Sequence, residues 1–194
     1  MIELNKKLEL IDSIEVFYLI NNSIATYNHV FKVAEISKNL SKKYNLDSEK
    51  CYLSGLIHDI STHLSPIEML FYAEKHNWLI NDIEREYPNL LHQKISSNMA
   101  TELFDIYDKD ILNAINCHTT LKSNPDIYDM VLFIADKLSW GEETIFFKEV
   151  NLDLEISLEC ACLTYINLSL DNKLILKPHP DLLEAKEYLE CIIR

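Results

Sequence analysis

Glycine is scarce in this chain, with only 2 occurrences in 194 residues. β-Hairpin turns and phosphate-binding loops depend on glycine, because glycine adopts positive φ angles without a steric cost. This scarcity argues against a β-sandwich, a barrel built from hairpins, a GxGxxG site and a P-loop. The sequence therefore predicts an all-α fold.

The length and composition indicate one domain with a substantial core. Hydrophobic residues make up 48% of the chain and charged residues 25%, which is typical of a globular protein. No internal repeat, low-complexity tract or linker divides the sequence, so we predict a single domain over residues 1–194. We expect its core within about residues 20–140, with C-terminal helices in about 142–194 packing against that core.

The net charge of −13 restricts the classes of partner. Nucleic acids and anionic membranes attract basic surfaces, so we predict that this acidic chain binds neither. A small phosphate-bearing ligand is still compatible, because bound cations can reverse the field within one pocket. The 5 cysteines form no CxxC pair, and we expect no signal peptide because the sequence opens with mixed charge and contains no long apolar segment. These features predict free thiols and a cytoplasmic location.

Apolar residues at helical spacing, together with cap residues, predict a succession of helices joined by short turns. We expect helices over about residues 23–44, 48–59, 89–104, 108–118, 127–138, 153–170 and 180–193. Ser65-Pro66-Ile67-Glu68 is a capping box with proline at the first helical position, which predicts a further helix start. The helix over 48–59 is apolar on nearly every side and should be central.

Six histidine and aspartate residues stand at apolar helix faces or helix ends, where a bundle could bring them together. They are His29, His58, Asp59, His92, His118 and Asp136. Asp136 interrupts an apolar run, and a buried carboxylate costs several kcal/mol unless a cation or a hydrogen-bond donor meets it. Imidazole and carboxylate are the usual ligands of iron, manganese and zinc. Spacing alone leaves two interpretations open: a shared metal site, or separate helix caps and core residues.

The order of these residues resembles that of a known family. His29, then the His58-Asp59 pair, then Asp136 is the order found in the HD-domain superfamily of metal-dependent phosphohydrolases. Leu91-His92 and His118-Thr119-Thr120 resemble a narrower branch, the bacterial YqeK-type symmetrical bis(5'-nucleosyl)-tetraphosphatases. Further resemblances to that branch are Ser54-Gly55-Leu56-Ile57-His58-Asp59, Phe133-Ile134-Ala135-Asp136 and His179-Pro180-Asp181.

The resemblance implies an HD-type helical bundle that hydrolyses diadenosine tetraphosphate (Ap4A) symmetrically to two ADP. It implies iron as a di-iron centre, with Mn²⁺ or another divalent metal as the alternative. The implied ligands of one ion are His29, His58, Asp59 and Asp136. Asp59 would bridge to a second ion held by His92 and His118. Asp59, His92 and His118 are accordingly the expected catalytic residues.

Candidate substrate contacts lie close to these positions in the sequence. They are Thr119, Thr120, Lys32, Lys122 and Lys137. An arginine that the family carries after its last aspartate is absent, and Glu142 inverts the charge there. Two alternatives therefore stay open: a phosphohydrolase of a nucleoside mono-, di- or triphosphate, and a nucleotide-sensing module without turnover. Apolar helix faces also leave room for a homodimer.

Other ring side chains are expected outside the metal pattern. We expect His76 to be exposed at a helix end, and His179 to shape the start of the last helix. Trp140 is expected to be a packing residue, with stacking on a nucleotide base as the alternative.

Overall fold

The computed structural model describes residues 2–21 and 24–193, which form helices joined by short turns. No strand occurs in these two ranges, so the all-α prediction is confirmed. The helices are α1 (Ile2–Asn21), α2 (Ile24–Lys43), α3 (Ser48–Ile57), α4 (Pro66–Lys75), α5 (Asp82–Glu86), α6 (His92–Phe104), α7 (Lys109–Cys117), α8 (Ile127–Ser139), α9 (Phe147–Leu154), α10 (Leu158–Asp171) and α11 (Pro180–Ile192). Ser23, at the predicted start of the second helix, lies outside the described residues.

Helix α8 runs between two clusters of buried apolar residues. Every side chain from Asp129 to Ser139 is buried. Leu132 and Ala135 belong to a cluster with residues of α1, α2, α3, α4, α6 and α7. Phe133 and Ile134 belong to a second cluster with residues of α9, α10 and α11. A helix that is buried on all sides keeps its polar residues away from bulk water, so any charge on it must be balanced locally.

The tight packing of α2 against α3 sets the distance between the two helices. Gly55 faces Ala34, and a β-carbon at Gly55 would lie only 2.5 Å from Ala34 Cα. Any larger residue at this position would push the helices apart. Helix α3 also packs against α6, α7 and α8, as expected for a central helix. His29 on α2 is thereby held close to the residues that follow α3.

The helix predicted over residues 153–170 is wrong, because the structure contains two helices there. α9 ends at Leu154 and α10 begins at Leu158. Ser157 caps α10: its backbone is extended, and its hydroxyl accepts a hydrogen bond from the Cys160 N–H at 3.1 Å. Serine at this position satisfies an amide that has no partner within the helix. Leu154 and Leu158 are both buried, so the apolar pattern continues across the break.

Two short elements lie between α4 and α6: helix α5 is absent from the sequence prediction, and a 3₁₀ turn replaces the first residues of the helix predicted over about 89–104. Helix α5 has only 5 residues and begins with a capping box formed by Asn81 and Glu84. A 3₁₀ turn over Pro88–Leu91 then leads directly into His92, the first residue of α6. The predicted capping box before α4 is confirmed. These short elements fix where the α6 N-terminus lies.

Helices α9, α10 and α11 complete the second apolar cluster around α8. Val150 on α9, Ala161 on α10 and Ala185 on α11 are all fully buried in it. The assignment of the chain to one domain stays a prediction. Among the described residues, no helix has the length and apolar character needed to cross a lipid bilayer.

Candidate metal centre and its cavity

Five helical segments place the six predicted ligand residues around one point. His29 lies within α2, His58 and Asp59 directly follow α3, His92 begins α6, His118 directly follows α7, and Asp136 lies within α8. We call these six residues the His/Asp cluster. Nitrogen and oxygen atoms of neighbouring members lie 2.9–3.8 Å apart. The structure therefore brings together residues that are 107 positions apart in sequence, from position 29 to position 136.

Backbone carbonyl groups orient three of the four imidazoles in the cluster. In each case the ring Nδ1 contacts the carbonyl oxygen three residues earlier. The pairs are His58 with Gly55 at 2.8 Å, His92 with Asn89 at 2.5 Å, and His118 with Ile115 at 2.8 Å. A carbonyl only accepts hydrogen bonds, so Nδ1 carries the proton and Nε2 of the neutral ring presents a lone pair. Metal-bound histidines in proteins are usually oriented by this kind of contact.

His29 has the same orientation through a serine hydroxyl. Its Nδ1 lies 3.2 Å from Ser139 Oγ. That hydroxyl donates its proton to the Asp136 carbonyl at 2.6 Å, so it accepts from His29 Nδ1. His29 Nε2 therefore presents a lone pair as well, and it lies 3.2 Å from Asp136 Oδ1.

Asp59 contacts all four histidines through its two carboxylate oxygens. Oδ1 lies 3.3 Å from His92 Nε2 and 3.6 Å from His118 Nε2. Oδ2 lies 3.6 Å from His29 Nε2 and 3.5 Å from His58 Nε2. The carboxylate thus faces two pairs of imidazoles, one with each oxygen.

Several contacts within the cluster are unfavourable unless a cation lies among them. His92 Nε2 and His118 Nε2 are 2.9 Å apart, with lone pairs directed toward each other. His58 Nε2 is buried without a hydrogen-bond partner, at a cost of about 1–3 kcal/mol. Ligand atoms lie within 4.8 Å of one another in two subsets: His29, His58 and Asp136, and His58, Asp59 and His118. The His/Asp cluster therefore fits a divalent metal.

The electrostatic environment keeps two of these side chains, His118 and Asp136, in the protonation states that metal binding requires. Burial lowers the pKa of His118 to about 4, so its imidazole is neutral at neutral pH. Burial alone would raise the pKa of Asp136, but Lys137 Nζ, 2.6 Å from the carboxylate, outweighs this effect and holds the pKa of Asp136 well below its ordinary value. Ionised carboxylates and neutral imidazoles are the metal-binding forms.

The cluster opens onto a cavity of about 460 Å³, which we call cavity A. Apart from cluster residues, its wall includes Trp140, Thr144, Phe146 and Tyr165. Trp140 is 65% exposed, and its ring centroid is 5.1 Å from that of His29. The prediction that Trp140 is a packing residue is therefore wrong.

Sequence reasoning missed Thr144, Phe146 and Tyr165 as cavity residues. Tyr165 lies in α10 and Phe146 directly precedes α9, both within apolar patterns that resemble ordinary core positions. Gln93 was also missed. Its side-chain oxygen accepts the Thr119 N–H at 3.0 Å, and its amide donates to the Thr120 hydroxyl at 3.1 Å. Its position directly after His92, a predicted metal ligand, could have indicated a role near the site.

Two of the five predicted substrate contacts, Thr119 and Lys137, line cavity A. The Thr119 hydroxyl lies 3.3 Å from His92 Nε2. Lys137 Nζ donates to the His118 carbonyl at 3.1 Å, in addition to its ion pair with Asp136.

The other three predicted substrate contacts do not line cavity A. Thr120 is buried, and its hydroxyl donates to the Leu121 carbonyl at 2.8 Å. Lys122 forms an ion pair with Asp129 at 2.6 Å. Lys32 donates to the Ser139 carbonyl. Closeness in sequence was misleading here, because the side chains of adjacent residues point in different directions.

Comparison with known proteins bears on the same part of the chain. The HD-domain family model matches residues 26–141, a stretch that contains the whole His/Asp cluster. The chain belongs to the HD-domain family. HD domains bind divalent metals, and membership supports a metal-dependent hydrolase.

Two bacterial proteins are similar to this chain at different levels of identity. The "Uncharacterized protein in pepC 5'region" of Lactococcus lactis subsp. cremoris is 40% identical over 147 residues, which is 75% of each chain. The "Bis(5'-nucleosyl)-tetraphosphatase, symmetrical" of Staphylococcus aureus is 28% identical, and the match covers 59% of each chain.

A solved structure resembles nearly the whole chain. It is the crystal structure of a "predicted HD superfamily hydrolase involved in NAD metabolism" from Clostridium acetobutylicum. The TM-score is 0.88 and the identity 26%, with 93% of this chain and 97% of that chain covered. The HD-type fold therefore extends beyond residues 26–141 to most of the described structure.

Proposed function

We propose that this chain is a metal-dependent phosphohydrolase that cleaves Ap4A symmetrically into two ADP. The observation that carries this proposal is the convergence of four imidazole lone pairs and two carboxylates at the edge of cavity A. The similarity to symmetrical tetraphosphatases at 28% identity supports the choice of substrate.

The proposed ligands of one ion are His29, His58, Asp59 and Asp136, with His92 and His118 on a second ion. Asp59 suits a bridging role because each of its oxygens faces a different pair of histidines. Iron is the proposed metal, with Mn²⁺ as the alternative. When bound, such ions lower the pKa of water and neutralise phosphate oxygens.

The remaining residues of cavity A would bind and orient the nucleotide. The Thr119 hydroxyl and the Lys137 ammonium group lie on the cluster side of the cavity and would contact phosphate. The exposed indole of Trp140 would stack on a base. Thr120, Lys32 and Lys122 have no part in this arrangement.

The proposed location of the protein is the cytoplasm, and we propose neither a nucleic acid nor a membrane as its partner. The 5 cysteines are free, which suits a reducing compartment. A nucleotide substrate is also available there. The homodimer expected from the sequence stays a prediction that gel filtration with light scattering would test.

Product chromatography with metal-analysed protein tests the proposed activity. We expect Ap4A to give ADP as the sole nucleotide product, and ATP plus AMP would contradict symmetrical cleavage. Turnover of a nucleoside mono-, di- or triphosphate in place of Ap4A would favour a mononucleotide phosphohydrolase. Nucleotide binding without hydrolysis of any substrate would indicate a sensor.

A further inference from the structure

A second cavity adjoins the His/Asp cluster and shares part of its lining with cavity A. This cavity B has a volume of about 480 Å³, close to the 460 Å³ of cavity A. Asp59, His92 and Thr119 line both cavities. The rest of the cavity B lining is Thr62, Leu64, Met69, Asn89 and Leu90.

Asp59 stands where the two cavities meet. Its Oδ2 faces His29 and His58, and His29 lines cavity A alone. Its Oδ1 faces His92, which lines both cavities, and His118, which lines cavity A alone. A group bound at Asp59 could therefore extend in two directions, one into each cavity.

A substrate that is cut at its centre needs room on both sides of the reacting group. Both volumes lie within the range of about 300–1,000 Å³ that is usual for ligand sites. A mononucleotide would need only one such cavity. Two cavities that meet at Asp59 provide this room for a substrate with two nucleotide halves.

We propose that cavity B binds the second nucleoside diphosphate half of a dinucleoside tetraphosphate, an inference that rests on the proposed function. Water oxygen bonds to one central phosphorus, the bond from that phosphorus to the bridging oxygen breaks, and that oxygen leaves with the other ADP. The protons of the water are released to solvent. One ADP then lies in each cavity.

The two cavities bind their halves by different contacts. Cavity A offers the rings of Trp140, Phe146 and Tyr165. Cavity B offers apolar contacts from Leu64, Met69 and Leu90, and no phenylalanine, tyrosine or tryptophan is among the described residues that line it. Base stacking is therefore assigned to cavity A, while cavity B holds its half through phosphate contacts and apolar burial.

The number of ADP molecules bound per chain tests this assignment by equilibrium dialysis on Mn²⁺-loaded protein. We expect two ADP per wild-type chain and one in Asn89→Trp, whose indole would fill cavity B. Asn89 suits this change because its side chain is exposed and its backbone carbonyl makes the bond to His92. Asn39→Trp is the matched control, because Asn39 is exposed on α2 and lines neither cavity. It should bind two ADP.

A wild-type count of one ADP, or two ADP in Asn89→Trp, would overturn the assignment. If Asn89→Trp loses its helical circular dichroism, Leu64→Trp replaces it as the variant that fills cavity B. Ap4A hydrolysis is followed on the same samples. Two bound ADP without hydrolysis would contradict the proposed function but retain cavity B, whereas hydrolysis with one bound ADP would reject cavity B alone.

Discussion

Among the residues that the structure describes, two groups of buried histidine and carboxylate side chains differ in how their charge is balanced. One is the His/Asp cluster. The other, which we call the Glu84 network, consists of Asn81, Glu84, Lys94 and His179. Lys94 Nζ lies 2.6 Å from Glu84 Oε1, and the Asn81 N–H donates to Glu84 Oε2 at 3.0 Å. The Glu84 network thus contains its own cation.

The His/Asp cluster lacks this internal balance at its centre. Lys137 pairs with Asp136, but the contacts of Asp59 within the cluster are to histidine nitrogens that carry lone pairs. His92 and His118 face each other without a proton between them. Burial of histidine next to a carboxylate therefore does not identify a metal site by itself. The deciding feature is whether the chain itself provides a cationic side chain and hydrogen-bond donors to the buried carboxylate and imidazole groups.

Replacing Asp59 with alanine should give the largest effect of any change to either group. We expect Asp59→Ala to lose bound metal and all measurable hydrolysis, because the two sets of histidines lose the carboxylate between them. Elemental analysis and the Ap4A assay measure both losses, while helical circular dichroism should persist. Full metal content and activity would show that the ligand assignment is wrong.

His118→Ala should reduce turnover by at least about a hundredfold, the size of effect seen when one transition-state electrostatic group is lost. His76→Ala is the control. His76 is half-buried rather than exposed as predicted, and it stacks on Tyr72 at a centroid distance of 4.5 Å. Its loss should lower stability by about 0.5–1.5 kcal/mol and leave turnover unchanged. Equal losses of turnover would mean that helix-end histidines act only structurally.

Disruption of the Glu84 network should affect stability and spare the metal. Lys94→Met leaves the Glu84 carboxylate buried without its cation, which costs up to about 3 kcal/mol given the partial exposure of Lys94. Urea unfolding at neutral pH measures this loss, and elemental analysis should give unchanged metal content. Loss of metal in Lys94→Met would show that the two groups are coupled.

The loss of folding stability at low pH provides a further test of the Glu84 network. Burial alone would raise the pKa of Glu84, but His179, Lys94 and the Asn81 N–H lower it from 4.5 to about 2. Because folding lowers this pKa, the ionised carboxylate stabilises the folded state at pH values above 4.5. That stabilisation is lost as the pH falls from 4.5 toward about 2. Glu84→Gln should show a shallower loss over this range. If Glu84→Gln loses as much unfolding free energy as the wild type over this pH range, the lowered pKa of Glu84 is contradicted.

The sequence predicted the cluster better than it predicted the surrounding cavities. His58-Asp59 and Asp136 stood out because charged residues within apolar helices need a compensating partner. The aromatic wall of cavity A gave no such contrast, since Phe146 and Tyr165 follow the same apolar pattern as core residues. The role of His179 as the N-cap of α11 is confirmed, because Pro180 and Asp181 mark a helix start locally. Its contact with Glu84 depends on distant packing that no local pattern encodes.

The smallest expected effect concerns Glu142, which stands where the family carries an arginine. It is exposed in the turn between Trp140 and Thr144, two residues of cavity A. Glu142→Arg should lower the KM for Ap4A by about two- to fivefold at low salt, because a polyanion no longer approaches a negative charge. The value of kcat should change little, since uniform binding alters KM alone.

Glu187→Arg makes the same change to the net charge of −13 but lies on the exposed face of α11. If the effect of Glu142 is local, Glu187→Arg should leave the KM unchanged, and high salt should abolish the advantage of Glu142→Arg because exposed charges are screened. An equal fall in KM for both variants would assign the effect to overall charge. No fall in either variant would mean that the side chain at position 142 points away from the phosphates, and that Lys137 and the His/Asp cluster alone bind them.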